Sequence, residues 1–227
     1  MQLRRIDCLG AFLSATMGVS AVAAAQDTEQ GVEFSAFGSS FFGGDSGPTV
    51  VGAPLHPETR YEDTFGAGFG LMVQYFRQVR PILRWQAGLI HQSWPGKFFE
   101  GGEFQPGWAF GAGGRFDDLK FTGIYGGITF IRQPGAKLRP FASVDLAIAK
   151  LSKVDVSVSG ESQPYWKSTT KDFLIMRAGV AYRISAAAHV TLYGGFSVMG
   201  EPESVDIFSS ATAASSLVAG IGASYAF

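Results

Sequence analysis

Along most of its length the chain alternates apolar residues with small or polar ones at a period of two, the mark of β-strands with two unlike faces. Leu217, Ala219, Ile221, Ala223, Tyr225 and Phe227 share one face of the last such segment, and Val218, Gly220, Gly222, Ser224 and Ala226 the other. Val190, Leu192, Phe196 and Val198 likewise oppose His189, Thr191, Tyr193 and Ser197, while Leu174, Met176, Val180, Tyr182 and Ile184 oppose Phe173, Ile175, Arg177 and Arg183. Upstream, Phe65, Phe69, Leu71, Val73 and Tyr75 oppose Met72, Gln74 and Phe76; Leu83, Trp85 and Leu89 oppose Arg84, Gln86 and Ile90; Val144, Leu146 and Ile148 oppose Ser143, Asp145 and Ala147. Two segments are less regular. In 31–42, Val32, Phe34 and Ala36 face away from Glu33 and Ser35, and 119–131 changes face near Gly123, which predicts a β-bulge there.

These segments number eight, and the gaps between them alternate in length. Short turns fall near 78–81, 132–137 and 185–187; long connections cover about 43–63, 95–118, 152–170 and 200–214. An even strand count with short turns at one end and long loops at the other predicts an all-β fold. The expected form is an eight-stranded antiparallel up-and-down transmembrane β-barrel with short periplasmic turns and four long extracellular loops. A soluble β-sandwich also has period-two strands, but its polar face meets water and carries many Lys and Glu. Here that face is mostly Gly, Ala, Ser and Thr with a few charges, which suits a narrow lumen.

Residues 1–25 have a different grammar. Arg4 and Arg5 precede an apolar stretch from Cys8 to about Val19, and small residues end at Ala23-Ala24-Ala25 before Gln26, as in a secretory signal peptide with its cleavage site. The expected division is therefore 1–25, a removed signal peptide, and 26–227, the barrel. Removal takes away Arg4, Arg5 and Asp7, leaving 16 Lys and Arg against 18 Asp and Glu, a net charge of −2. It also takes the single cysteine, so no disulfide framework or thiolate metal site is expected. Glycine at 30 of 227 residues and Phe at 20 argue against a helical bundle. Near-neutral charge without a basic run removes the electrostatic footprint of nucleic-acid binding.

With its signal peptide, its alternation across 65–75, 174–184 and 190–198, and a last strand ending Tyr225-Ala226-Phe227, the chain resembles the small eight-stranded outer-membrane proteins. That group includes the OmpA membrane domain, OmpX, Opa and OmpW. The resemblance implies location in the bacterial outer membrane, contact with its lipid and lipopolysaccharide, and Tyr225 and Phe227 as the signal read by the assembly machinery. Unlike OmpA, no periplasmic domain follows the last strand, so peptidoglycan anchoring is not expected.

An eight-stranded barrel is just wide enough for its own side chains to fill it. The alternation points Glu33, Arg84, Asp145, Arg177 and Arg183 inward, with Gln74, Gln86, Thr191 and Tyr193. Asp145 and Arg177 are expected to pair at mid-height, with Glu33 and Arg84 lower down, because a charge in a low-dielectric lumen is tolerable only when paired and hydrogen-bonded. A structural plug is the favoured reading over a gated ion path.

The catalytic-looking constellation is His91-Gln92-Ser93 with Glu100 and Glu103 following, since His and Ser two apart on a strand share a face. PagL-like lipid A deacylases carry a similar His-x-Ser with a later Glu, but far along the chain, whereas this one ends the third strand; residues at the outer membrane interface are the favoured reading. The chain is therefore not expected to be an enzyme. His56, His91 and His189 show no metal-ligand spacing, and no cofactor is expected. Glu62-Asp63 and Asp117-Asp118 flank long loops and are read as solvated. The second long loop holds Phe98, Phe99, Phe104, Trp108 and Phe110, too aromatic for an idle surface loop. Either it packs over the barrel mouth, the favoured reading, or it offers an apolar surface to an extracellular ligand or protein. The expected function is structural or interactive through the loops, with OmpW-like passage of small hydrophobic molecules as the alternative.

Overall fold

The computed structural model describes residues 29–46, 60–99, 114–132, 135–158, 160–205 and 211–227. The expected signal peptide and its cleavage site lie outside these residues. Eight long strands, β1 (Gln30–Gly43), β2 (Gly68–Arg80), β3 (Leu83–Trp94), β6 (Leu119–Ile131), β7 (Leu138–Leu151), β10 (Thr170–Arg183), β11 (Ala188–Met199) and β12 (Ala214–Ala226), form one closed antiparallel barrel. Each pairs with its neighbour in the chain, and β1 closes on β12.

Following hydrogen-bonded partners around the wall from Val32 through Tyr75, Ala87, Gly126, Leu146, Leu174, Val198 and Ser215 returns to β1 at Gly43. The path has climbed eleven residues, one of them the extra residue of a bulge between Phe41 and Gly43. Such a stagger tilts the strands by roughly 40° to the barrel axis. The short turns gather at one end, called periplasmic below, and the long connections at the other.

The wall has the two faces the alternation predicts. Phe34, Leu71, Leu89, Ile124, Leu192, Leu217 and Ile221 point outward and are each more than half exposed, while Gln74, Gln86, Asp145 and Thr191 point inward and are buried. A continuous apolar exterior belt belongs in hydrocarbon, and a closed barrel leaves no backbone group there without a partner.

Two expectations need correction. β6 changes face nowhere: its register with β3 and β7 is unbroken through Gly123, and Leu119, Phe121, Tyr125 and Thr129 all point inward. The apparent switch arises because the inward face is itself apolar toward the extracellular end, so Leu119 and Phe121 imitate lipid-facing residues. Phe65, grouped with the outward face, precedes the start of β2 and is buried.

The long connections are not simple loops. β4 (Phe98–Phe99), β5 (Gly114–Phe116), β8 (Val154–Val158) and β9 (Glu161–Trp166) form a second sheet in that order, drawn from the second and third connections. Gly160, at φ 86°, makes the turn between β8 and β9 in a backbone region other residues rarely adopt. One helical turn, α1 (Tyr61–Thr64), lies in the first connection. Phe41, Tyr61, Phe65, Trp94 and Trp166 stack between these elements with ring centroids 4.8–6.5 Å apart, and Phe121 and Phe173, 4.4 Å apart, continue the cluster into the barrel.

Ile221 sits near the middle of β12 on the outer wall, and Leu138 begins β7 at the periplasmic end. Ile221→Arg should destabilise the barrel by about 2–4 kcal/mol and Leu138→Arg by roughly 0–1 kcal/mol. Reversible urea unfolding in lipid vesicles measures both; equal costs would contradict the placement of the belt.

Candidate functional site

The lumen gathers the buried polar chemistry of the barrel wall, and it is organised in layers. At mid-height lies the fully buried Asp145. Strand tilt brings Arg177, paired in register with Ser143, diagonally onto it: Arg177 Nη2 donates to Asp145 Oδ2 at 2.8 Å. Gln86 Nε2 donates to Oδ1 at 2.6 Å, and Ser143 Oγ to Oδ2 at 3.3 Å. Thr129 holds Gln86 from behind through a 2.6 Å bond to Oε1. The arginine is further enclosed by the Tyr193 ring, 5.3 Å from Cζ, and by Met72 Sδ, 3.8 Å from Nη1. Small residues make room for this: a methyl group added at Gly220 would lie 2.6 Å from Tyr193 Cζ.

Below, Glu33 accepts from Arg84 Nη2, Thr191 Oγ1 and Ser35 Oγ, each at 3.4 Å, and the Arg84 guanidinium lies 4.4 Å over the Phe76 ring. Arg139 contacts His189 and pairs with Glu29 at 3.4 Å. Arg183 stands apart from this network: its guanidinium donates to the Gly135 carbonyl at the periplasmic turn, 2.8 Å away. Of the five charged residues aimed inward by alternation, the structure thus brings four together and leaves Arg183 at the rim. His189 shares the inward face of Thr191 and Tyr193 that the alternation gives, whereas Arg139 is a lumen group the sequence reading omits, although its spacing to Ser143 and Asp145 puts all three on one face.

Above mid-height the lumen turns apolar. Gln92 bonds to Ser39, and between them and Arg177 the side chains of Phe37, Ile90, Phe121, Phe173, Ile175 and Val218 close around a cavity of about 10 Å³, barely one water molecule's worth. The barrel is therefore filled by a polar lower part and an aromatic upper part.

The extracellular cap carries its own buried polar knot. Ser46 Oγ and Thr64 Oγ1 are 2.7 Å apart, and the Tyr165 hydroxyl and Trp166 indole both donate to the Ser46 carbonyl, at 3.2 and 3.3 Å. The Tyr61 hydroxyl donates to the Thr212 carbonyl at 2.9 Å. Burial pushes the Tyr61 and Tyr165 hydroxyls above the usual phenol range.

His91 and Ser93 point outward from the upper wall, where His91 Nδ1 lies 2.7 Å from Thr122 Oγ1; Glu100 and Glu103 lie outside the described residues. The intervening Gln92 points inward and is buried. No group of metal-ligating side chains occurs among the described residues. Asp118 Oδ1 accepts from the Gly96 amide at 3.2 Å, and Glu62 pairs with Arg60 at 3.4 Å. In the aromatic loop, Phe98 is 67% exposed on β4, at the edge of the small sheet; Phe99 continues that strand; Phe104, Trp108 and Phe110 lie outside the described residues.

A closed wall with an apolar exterior and a self-filled interior defines a transmembrane β-barrel of the kind found in bacterial outer membranes. The chain is similar in structure to the Neisserial surface protein NspA, at 12% identity over 90% of this chain and 100% of that one, with a TM-score of 0.50. It is also similar to the outer membrane protein OprG from Pseudomonas aeruginosa, at 12% identity over 88% of this chain and 96% of that one, with a TM-score of 0.55. At these identities the likeness establishes the fold, and the resemblance to small outer-membrane barrels holds at that level. By sequence, no protein-family model and no curated protein matches the chain.

Two outcomes follow from the buried groups. Arg177→Ala strands a desolvated carboxylate and should cost about 3–5 kcal/mol, whereas the double change Asp145→Asn with Arg177→Met removes both charges and should recover most of it; equilibrium unfolding of the three proteins tests this. In the cap, unfolded tyrosines ionise near pH 10 while the folded Tyr61 and Tyr165 stay protonated. Below pH 10 they impart no pH dependence. Above it the unfolded state binds fewer protons, and stability falls by up to about 1.4 kcal/mol per pH unit for each tyrosine. Tyrosinate absorbance during alkaline titration should lag in the wild type, and Tyr61→Phe with Tyr165→Phe should shorten the lag.

Proposed function

We propose that the protein is an outer-membrane barrel whose embedded part is a closed support and whose work is done at the extracellular end, as a structural or surface-interaction protein. The observation that carries this is the double closure of the lumen. A polar network centred on Asp145 and Arg177 fills the lower part, and the rings of Phe37, Phe121 and Phe173 fill the upper part. A solute passing through must break a buried ion pair and displace packed aromatic side chains. The extracellular end is instead elaborated into a second sheet with Phe98 exposed on it.

In this reading residues 1–25 direct export, Tyr225 and Phe227 address the chain to the assembly machinery, and outer-membrane lipid and lipopolysaccharide surround the belt. No catalytic step is assigned. Phe98 and the other aromatic residues of the second connection meet an extracellular ligand or protein.

Planar-bilayer recording of the purified protein should give no stable conductance. Replacing residues 100–113 by a short Gly-Ser linker should leave a heat-modifiable barrel. Vesicles carrying the wild type should bind components of an array of immobilised extracellular glycans and proteins that vesicles carrying the shortened form do not. A steady wild-type conductance, or identical array profiles for the two, would overturn the reading.

A further inference from the structure

The charges of the two barrel ends are arranged differently. At the extracellular end several cations face acids: Arg60 with Glu62, Lys153 with Asp155 at 2.7 Å, Lys171 with Glu203 at 3.9 Å. At the periplasmic end, Arg77, Arg80, Arg132, Lys137 and Arg183 cluster at the turns, and the only acidic side chain there among the described residues, Glu29, is engaged by Arg139. No carboxylate among the described residues pairs with Arg77, Arg80 or Arg132.

The cations are also confined to one side. They belong to the ends of β2, β6 and β10 and to the turn joining β6 to β7, within the run of adjacent strands β2, β3, β6, β7 and β10; the facing sector, β11, β12 and β1, meets the same level with Ser185, Ala186, Ala187, Glu29 and Gln30. Their direction matters as much as their number. Arg77 continues the outward face of β2 below Tyr75, and Arg132 continues that of β6 below Phe130; both are exposed. The Lys137 ammonium sits 5.0 Å over the ring of Tyr182, itself 44% exposed on the outer wall. The Tyr75 and Trp85 rings, 5.4 Å apart, lie at the same rim. Aromatic rings of this kind mark the headgroup level of a bilayer. Arg77, Arg132 and Lys137 thus stand where lipid phosphates lie and point sideways toward them, rather than down into the periplasm.

We propose that this sector of the periplasmic rim is a binding surface for anionic phospholipid headgroups of the inner leaflet, with Arg77, Arg80, Arg132 and Lys137 as its contacts. A phosphate supplies the counter-charge that the protein does not, and a net anionic lipid is preferred over a zwitterionic one because its charge is not cancelled by an ammonium. Basic residues at a membrane surface attract anionic lipid at about a fivefold gain each, screened by salt.

The test reconstitutes the full mature chain in bilayers of phosphatidylethanolamine with a minor share of phosphatidylglycerol. Spin-labelled forms of each lipid then report, by electron paramagnetic resonance, the fraction immobilised at the protein. The wild type should enrich phosphatidylglycerol at least fivefold at low salt, with the enrichment falling steeply in 0.5 M NaCl. The variant Arg77→Gln, Arg80→Gln, Arg132→Gln, Lys137→Gln should show parity, while replacing the three arginines by lysine should preserve the enrichment. Heat-modifiable migration confirms that each variant is folded, and the salt dependence of the wild type stands by itself if the Gln variant does not fold. Equal immobilisation of the two lipids, or enrichment indifferent to salt and to the Gln changes, would overturn the proposal. So would parity in bilayers combined with charge-dependent co-sedimentation on purified peptidoglycan, which would assign the surface to the cell wall.

Discussion

Everything in this molecule depends on one constraint: a strand in hydrocarbon must give each of its peptide groups a partner, because no water is there to do so. Seven of the eight barrel pairings satisfy this between barrel strands adjacent along the chain, and the last joins Gly31 to Ala226 and Gly43 to Ser215, from opposite ends of the barrel sequence. Only with that seam made is the wall free of edges. The apolar exterior and the tilt follow from closure, and tilt in turn decides which inward side chains meet. Asp145 and Arg177 touch because the stagger slides residues two places apart in register onto one level.

Closure also explains the filling of the interior. A ring of eight strands leaves a bore that side chains span from opposite walls, so charges placed there are stripped of water whatever their role. The chain answers with a carboxylate bonded to three donors and a guanidinium enclosed by a ring and a thioether. Such a pair adds little net stability over apolar packing and a large penalty to any rearrangement that separates it. It fixes register: sliding β10 against β7 by one residue would point Arg177 into lipid.

The parts legible in the sequence are those governed by the period of two. Phe34, Leu89, Leu192 and Ile221 read correctly as lipid-facing because their neighbours across the pleat are small or polar. Asp145 and Arg177 read as lumenal because nothing else explains a charge in an otherwise apolar strand. The alternation became ambiguous wherever both faces are apolar, as at Leu119 and Phe121, whose inward side meets the aromatic cluster instead of the polar network. Arg139 escapes because the alternation of its strand is clear only from Ser143 onward, whereas β7 begins at Leu138. The cap was illegible for a different reason. Tyr61 and Phe65 come from the first connection and Tyr165 and Trp166 from the third; they follow no common period and meet only because the barrel brings the ends of distant strands together.

That meeting point has a consequence for how the exposed end can vary. Ser46 from the first connection, Tyr165 and Trp166 from the third, and Ser204 and Thr212 from the fourth are stitched by hydrogen bonds and a β-bridge into one knot above the mouth. A residue within the knot answers to three segments at once, so drift in any of them is checked by the other two. Diversity between related surfaces is thereby channelled to stretches beyond the knot, and a lineage under pressure to alter what it presents would rewrite those stretches while keeping the stitching residues unchanged.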